Sequence, residues 1–201
     1  MRKDGHQPLL IVIAGPNGSG KTTITSQVLE SEWLEDAIYI NPDNVANEMY
    51  GDWNSADAVK NSAIYCENWR NECLENRQSL IFETVMSSRE KIDFILRAKK
   101  AGYFVRVFFV ATSSPTINAS RIAQRVMEGG HDVPIPKIIS RYLKSIANCA
   151  TVGKIVDRLY VYDNSVDGAD ARLLFRLSDG KVAKRYTCDM PQWVEGILPT
   201  D

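Results

Sequence analysis

The sequence lacks the compositional features that mark several protein classes. Its 201 residues include only 12 glycines and 8 prolines, which excludes a collagen-like or low-complexity chain. The 24 basic and 25 acidic residues leave a net charge of −1, so there is no general basic surface for nucleic acid or anionic lipid. No apolar run approaches the roughly 18 residues of a membrane span, and the run Leu9 to Ala14 is too short for a signal peptide. These absences predict a cytoplasmic chain with no nucleic-acid partner and no membrane contact.

The four cysteines have no spacing that indicates a metal site. Cys66, Cys73, Cys149 and Cys188 form neither a C-x-x-C pair nor a Cys/His zinc pattern. We therefore expect all four to be small buried apolar residues.

Strand-like and helix-like segments alternate along the chain. Apolar, β-branched runs predict strands at 9–14, 37–40, 79–83, 103–111 and 158–162. Helical periodicity predicts helices at 21–32, 55–77, about 92–101, 115–128 and 136–152. An Asp-Gly turn at 179–180 predicts a β-hairpin, followed by a short helix at 192–198, so that these elements fill 170–198. The pattern predicts one α/β domain over 1–201: a doubly wound, five-stranded parallel sheet with a C-terminal hairpin and ligands at the carboxyl ends of the strands.

A phosphate-binding motif lies between the first predicted strand and the first helix. The segment Gly15-Pro16-Asn17-Gly18-Ser19-Gly20-Lys21-Thr22 matches G-x-x-x-x-G-K-[ST]. Its glycines let backbone N–H groups surround a phosphate, and the helix N-terminus adds the positive end of its dipole. We expect Lys21 between the β- and γ-phosphates, the Thr22 hydroxyl on Mg²⁺, and Thr23 beside them. The motif predicts a P-loop NTPase fold that binds a nucleoside triphosphate.

Other features favour a small kinase among P-loop proteins. A guanine-nucleotide switch carries D-x-x-G and N-K-x-D strings, and neither occurs here. A motor or AAA-type ATPase is usually larger and has a second acidic motif ending in Asp or Asp-Glu, whereas the third predicted strand ends in the single acid Glu83. A small kinase needs a carboxylate near the acceptor, a substrate pocket and arginines on a mobile lid. The chain has candidates for each of these.

Two carboxylates lie at or just after the ends of the second and third predicted strands. Asp43 comes after the second strand, where it is either the general base for an acceptor hydroxyl or the N-cap of a helix. Glu83 ends the third strand, where it holds Mg²⁺ through water, binds a substrate hydroxyl, or caps the next helix. The sequence leaves these alternatives open.

A candidate lid covers about 115–141. Arg121 and Arg125 lie four residues apart, so they share one helix face. The Gly129-Gly130 pair follows, and Arg141 lies on the next helix. This arrangement is typical of a lid that closes over a γ-phosphate, although a solvated helix face has the same spacing. His131 is either a lid residue or a hydrogen-bonded turn residue.

Taken together, these segments resemble the zeta-toxin family of P-loop kinases, in particular its small chromosomal members. The matching stretches run in order across most of 9–165: GPNGSGKT, NPDNVA, FETV, KKAGYFVRVFFVA, RIAQRVMEGGHDVP and VYDNS. The resemblance implies phosphorylation of a hydroxyl of UDP-N-acetylglucosamine, or of a related sugar nucleotide, with ATP and Mg²⁺. It also allows a protein antitoxin as a partner.

The resemblance assigns roles by position. It implies that Lys21 contacts phosphate, that Asp43 is the catalytic base, and that Arg125, with Arg121 nearby, contacts the phosphates. The nucleotide would be held by residues 15–23 and the metal by Thr22. The substrate-binding candidates are Glu83, Thr84, Asn44 and Arg141. The chain has Thr84-Val85 where the best-known toxins have Gly-Thr, and it places His131 near their second lid arginine, for which Arg141 is the candidate substitute.

The residues leave two other functions open. A nucleoside or polynucleotide-end kinase calls for a basic track to the site, for which the candidates are Lys181, Lys184 and Arg185. A nucleotide-gated binding module of a toxin–antitoxin pair calls for a partner face, such as the aromatic residues Trp53, Tyr65 and Trp69. Aromatic residues at such spacing more often belong to the core.

Overall fold

A computed structural model describes residues 7–30, 37–50, 55–129 and 132–199. Within these ranges the strands are β1 (Leu9–Ala14), β2 (Ile38–Ile40), β3 (Leu80–Thr84), β4 (Phe104–Ala111), β5 (Arg158–Asp163), β6 (Arg172–Ser178) and β7 (Lys181–Arg185). The helices are α1 (Lys21–Leu29), α2 (Pro42–Met49), α3 (Ala56–Glu75), α4 (Arg89–Lys100), α5 (Pro115–Met127) and α6 (Ile135–Gly153). A 3₁₀ helix, Gln192–Val194, lies near the C-terminus within the predicted helix 192–198.

All the described strands form a single sheet in the order β2-β3-β1-β4-β5-β6-β7. Strands β1 to β5 are parallel, as predicted. The hairpin β6–β7 pairs antiparallel with β5 and extends the same sheet. The sheet therefore has seven strands instead of five, because the hairpin pairs with the outer edge of β5 that the parallel core leaves open.

Helices cover both faces of the parallel core. The larger buried cluster includes Cys73 of α3, Ile95 of α4 and Val152 of α6. The smaller cluster, on the other face, includes Ile24 and Val28 of α1. Strand β1 lies in the middle of the sheet and is buried from residue 10 to 14, which explains its continuous apolar run. The fold is the predicted doubly wound α/β fold.

Helix α3 has 20 residues, the most of any described helix, and its buried residues recur every three or four positions from Ala58 to Cys73. Its aromatic residues differ in environment: Trp69 packs partly against the core, whereas Tyr65 is 47% exposed. Trp53 lies outside the described residues. Neither α3 nor any other helix in the described ranges is both long and apolar enough to cross a membrane.

Three of the four cysteines have the predicted environment. Cys66, Cys73 and Cys149 are buried in the larger cluster, and burial raises the pKa of each thiol. Cys188 is exposed, so its predicted burial is wrong. It lies between β7 and the 3₁₀ helix, outside both elements.

Candidate active site

The phosphate loop leaves β1 in a conformation that requires glycine. Gly15 has φ +151°, and a Cβ there would lie 2.0 Å from the Val110 carbonyl oxygen of β4. Gly20 has φ +91°, and a Cβ there would lie 2.2 Å from the Asn164 Nδ2 atom. Gly20 is also the N-cap of α1, and it has no side chain that could accept a hydrogen bond from the N–H groups of the first turn. Such an N-terminus favours an anion.

Side chains from three other elements hold this loop. Asn118 of α5 is buried, and its Nδ2 donates to the Asn17 carbonyl oxygen at 2.6 Å. The Asn164 Nδ2, just after β5, donates to the Ser19 carbonyl oxygen at 2.9 Å. Arg141 of α6 donates from Nη1 to the Asn17 Oδ1 at 3.2 Å. Neither Asn118 nor Asn164 is among the site residues predicted from the sequence, although Asn164 lies in the VYDNS stretch.

Lys21 is turned back onto the loop. Its Nζ donates to the carbonyl oxygens of Gly15 and Pro16 at 3.0 and 3.1 Å. Burial lowers the pKa of Lys21 to about 8, because the charged ammonium loses water. Four charges surround it: Glu83 and Asp43 oppose this lowering, and Arg125 and Arg141 add to it. The charges of both predicted carboxylates and of two of the predicted arginines therefore act on the Lys21 ammonium.

Glu83 organises the carboxyl ends of β2 and β3. Its Oε1 accepts from the Thr25 hydroxyl at 2.7 Å and from the Tyr39 hydroxyl at 2.9 Å. Asn41 extends this network, since its Nδ2 donates to the Tyr39 hydroxyl oxygen at 2.7 Å. Burial, with Glu83 adding to its effect, raises the pKa of Tyr39 above its ordinary range, so the phenol stays a donor. The carboxylate is fixed by hydroxyl donors from α1 and β2.

Neither carboxylate caps a helix. The N-cap of α2 is Asn41, whose Oδ1 accepts from the Asp43 backbone N–H at 2.8 Å. Asp43 lies in the first turn with an exposed side chain, so the capping alternative for Asp43 is wrong. The N-cap of α4 is Ser88, which removes the capping alternative for Glu83. Both acids keep their carboxylates for other partners.

The lid arginines separate into two groups. Arg121 donates from Nε to the Asp167 Oδ1 at 2.8 Å and from Nη1 to the Asn164 carbonyl oxygen at 2.8 Å. Arg125 and Arg141 instead act on Lys21. Arg121 and Arg125 therefore have different partners although they share a helix face, because Arg121 binds the loop after β5. His131 and Gly130 lie outside the described residues.

The remaining predicted residues differ in accessibility. Thr22, Thr23 and Asn44 are exposed near the loop and at α2. Thr84 is buried; its hydroxyl accepts from the Met86 N–H at 2.9 Å and its carbonyl oxygen accepts from the Gly15 N–H at 3.1 Å. Thr84 thus ties the end of β3 to the start of the phosphate loop. The roles of these residues toward a ligand stay predictions.

A cavity of about 260 Å³ lies beside the phosphate loop. It is lined on one side by Gly18, Gly20 and Thr23. On the other side it is lined by Arg121 and by the loop after β5 from Asn164 onward. The Arg121–Asp167 ion pair fixes this wall.

The order of these elements along the chain agrees with a known family. The sequence model of the zeta toxin family matches residues 1–169. The chain belongs to the zeta toxin family. It is a zeta-toxin-like member of the P-loop kinases, which confirms the resemblance. An uncharacterized protein of Haemophilus influenzae is 28% identical over 141 residues, which are 66% of this chain and 91% of that protein.

Solved structures share the fold. A structure from the PezAT chromosomal toxin–antitoxin system of Streptococcus pneumoniae has a TM-score of 0.61 at 19% identity, over 87% of this chain and 74% of that one. The AvrRxo1-ORF1:ORF2 complex has a TM-score of 0.68 at 16% identity, over 98% of this chain and 65% of that one. The same complex has also been solved with ATP; that structure has a TM-score of 0.65 at 17% identity, over 90% of this chain and 61% of that one. At these identities the similarity establishes the P-loop kinase fold.

Proposed function

We propose that the chain transfers the γ-phosphoryl group of ATP to a hydroxyl of a sugar nucleotide, UDP-N-acetylglucosamine or a close relative. One observation carries the proposal: the Lys21 ammonium interacts with the carboxylates Asp43 and Glu83 and with the guanidinium groups Arg125 and Arg141. A phosphate loop by itself binds a nucleotide. The carboxylates beside it supply the means to position and deprotonate an acceptor, and the arginines supply positive charge for the transferred group. The family supports the choice of acceptor class.

We assign the cavity beside the loop to the nucleoside of ATP. Its volume of about 260 Å³ and its position next to Gly18 and Gly20 suit a group attached to phosphates that lie in the loop. Arg121 is then a positioning residue, because it holds the cavity wall through Asp167 and the Asn164 carbonyl. We assign Arg125 and Arg141 to the phosphates, because the charges of both act on Lys21.

The donor set suits Mg²⁺. This ion takes oxygen ligands, keeps several waters, and is usually bound through one or two carboxylates together with substrate phosphates. Thr22 supplies an exposed hydroxyl at the start of α1, and Glu83 supplies a carboxylate within the same group of charges. The described residues contain no group of three or more His, Cys, Asp and Glu that could form a protein cage, so phosphates and water would complete the coordination. When bound, the ion would neutralise charge on the β- and γ-phosphates.

Asp43 accepts the proton in the proposed step. The acceptor oxygen attacks the γ-phosphorus, the bond from that phosphorus to the β,γ-bridging oxygen breaks, and ADP leaves. The hydroxyl proton passes to the exposed Asp43 carboxylate, which nothing in the α2 cap engages. Lys21, Arg125 and Arg141 stabilise the charge on the transferred group.

The direct test is ATP consumption with Mg²⁺, with and without UDP-N-acetylglucosamine. We expect ADP release that depends on the sugar nucleotide and is absent in Lys21→Ala. ADP release at the same rate without the acceptor would refute the sugar-nucleotide assignment. Phosphate on the recovered sugar nucleotide, detected by mass spectrometry, identifies the product.

The role of Asp43 has a matched control. Asp43→Asn should lower turnover by roughly 10²- to 10⁴-fold, the usual contribution of a general base, while ATP affinity stays within about threefold. Asp57 lies in the first turn of α3 and is exposed, as Asp43 is in α2. Asp57→Asn should leave turnover unchanged. Normal turnover in Asp43→Asn would remove the residue from the mechanism.

We also propose a protein antitoxin as a partner, because the chain belongs to the zeta toxin family and the PezAT structure comes from a toxin–antitoxin system. A toxin of this kind would arrest growth through its kinase activity. Induced expression of the wild-type chain should therefore slow growth of a bacterial host, and expression of Lys21→Ala should not. Equal growth with both proteins would argue against a toxic activity in that host.

A further inference from the structure

One face of strands β4 to β7 carries little helical cover. Among the described helices, α1 alone contributes buried residues to this face, through Ile24 and Val28. These two cluster with residues of β1, β3 and β4. The buried residues of β5 and β6, such as Leu159 and Phe175, belong to the cluster on the opposite face. Within the part of the chain that the structure describes, partly exposed strand side chains therefore form the surface beyond β4.

The strand register places basic and aromatic side chains side by side on this surface. Residues that lie opposite each other on neighbouring strands point to the same face of a sheet. One row across β4, β5, β6 and β7 is Arg106, Arg158, Ser178 and Lys181. The next row is Phe108, Tyr160, Arg176 and Lys184. We call the basic sheet face the surface formed by Phe104, Arg106, Arg158, Tyr160, Arg176, Lys181, Lys184 and Tyr186.

Acidic residues are absent from these rows. The four strands contain one acid, Asp163. Asp163 points to the opposite face, where its Oδ1 accepts from the Trp193 indole N–H at 3.1 Å. The near-zero net charge of the chain therefore hides a local excess of positive charge on the basic sheet face.

The rings and cations on this face are close to one another. The Phe108 and Tyr160 rings are stacked, with centroids 4.9 Å apart and planes within 8°. The Lys184 ammonium lies 4.7 Å from the centre of the Tyr186 ring. The Nε of Arg176, between them, is buried and has no hydrogen-bond partner within the described chain.

We propose that the basic sheet face binds single-stranded nucleic acid. Cations that track a phosphate backbone, interleaved with rings on which bases stack, are the two elements that single-strand binding needs. An open four-stranded sheet with aromatic residues accommodates two or three stacked bases in the same manner. The Tyr186 ring is 41% exposed and the Tyr160 ring is partly exposed, so both offer a ring surface to bases beside the cations. Binding to an anionic membrane is one of the outcomes that the test below distinguishes. The proposal is independent of the kinase reaction.

The test is fluorescence anisotropy with a labelled 15-nucleotide single strand, in RNA and DNA versions, and with the corresponding duplex. We expect the wild-type chain to bind the single strand more tightly than the duplex. The double variant Lys181→Glu/Lys184→Glu should weaken binding by about tenfold or more. The slope of the logarithm of the binding constant against the logarithm of the salt concentration should become shallower by about 0.7 for each phosphate that the variant no longer neutralises. Tyr186→Ala should weaken binding with the slope unchanged. A preference for RNA or for DNA identifies which strand is the ligand.

The matched control is Arg185→Glu. Arg185 is exposed on β7 next to Lys184, but it lies opposite Phe175 and therefore points to the other face. It should change the affinity by less than about twofold. An equal loss of affinity in Arg185→Glu, or in Lys21→Ala, would overturn the proposal, because binding would then be general or would use the phosphate loop. So would the absence of binding by the wild-type chain, tighter binding to duplex, or binding only to phosphatidylserine vesicles. Thermal unfolding confirms that each variant is folded.

Discussion

Nucleotide affinity should fall about tenfold between pH 7 and pH 9, because the Lys21 ammonium titrates in this range. Burial lowers the pKa of Lys21 to about 8 in the nucleotide-free chain. About one ammonium in eleven is then deprotonated at pH 7, and about ten in eleven at pH 9. The triphosphate binds the protonated form and holds the proton, so affinity follows the protonated fraction. Tenfold corresponds to about 1.4 kcal/mol of binding free energy.

The assay is isothermal titration calorimetry with a non-hydrolysable ATP analogue, in pairs of buffers with different ionisation enthalpies. At pH 8, binding should take up about half a proton per nucleotide, because half of the free chain carries a neutral Lys21. Lys21→Met should bind weakly and without this uptake. Lys60→Met, which removes an exposed lysine of α3, should behave as the wild type.

A second variant tests the cause of the titration. Glu83→Gln keeps an oxygen that accepts from Thr25 and Tyr39 but removes the negative charge that raises the pKa of Lys21. The midpoint of the pH dependence should therefore move to lower pH. A flat affinity from pH 7 to pH 9, or the same decline in Lys21→Met, would refute this reasoning.

Three further predictions concern stability and the loop. Gly15→Ala should lower the free energy of unfolding by more than roughly 4 kcal/mol, because the new Cβ would meet the Val110 carbonyl. Gly129→Ala should lower it by only about 1 kcal/mol, because Gly129 also has a positive φ but has open space around it. Urea denaturation measures both values. Asn118→Ala should cost about 2 kcal/mol and weaken ATP binding, because it removes a buried amide that holds the loop. Trp193→Phe should cost about 1 kcal/mol in the same measurement, by losing the indole hydrogen bond to a buried carboxylate.

Most elements of this fold are visible in local sequence patterns. The apolar run of β1, the phosphate loop and the helix after it occupy neighbouring residues, so motif and context are read together. The five parallel strands follow from apolar, β-branched runs separated by helical periodicity. The insertion of β3 between β2 and β1 does not follow from alternation, because strand order depends on pairing between segments distant in the chain.

Some residues of the candidate site can be predicted from local sequence, and others depend on contacts between distant segments. Lys21, Asp43 and Glu83 could be predicted because each occupies a motif or a strand end. Asn118 could not, since it supports Asn17 across 101 residues of chain and lies in no local pattern. The exposure of Cys188 could not be predicted either, because the spacing of cysteines does not show whether other residues cover a side chain.

By itself the sequence determined the strand–helix order, the phosphate loop and the family, because these depend on residues that are close along the chain. Tertiary structure alone decided which side chains meet. It directs Arg121 to the loop after β5 while Arg125 and Arg141 act on Lys21. It also aligns basic residues of four strands on one face of a nearly neutral chain. The physical reason is that register and sheet order set these distances, and both arise from long-range pairing and packing.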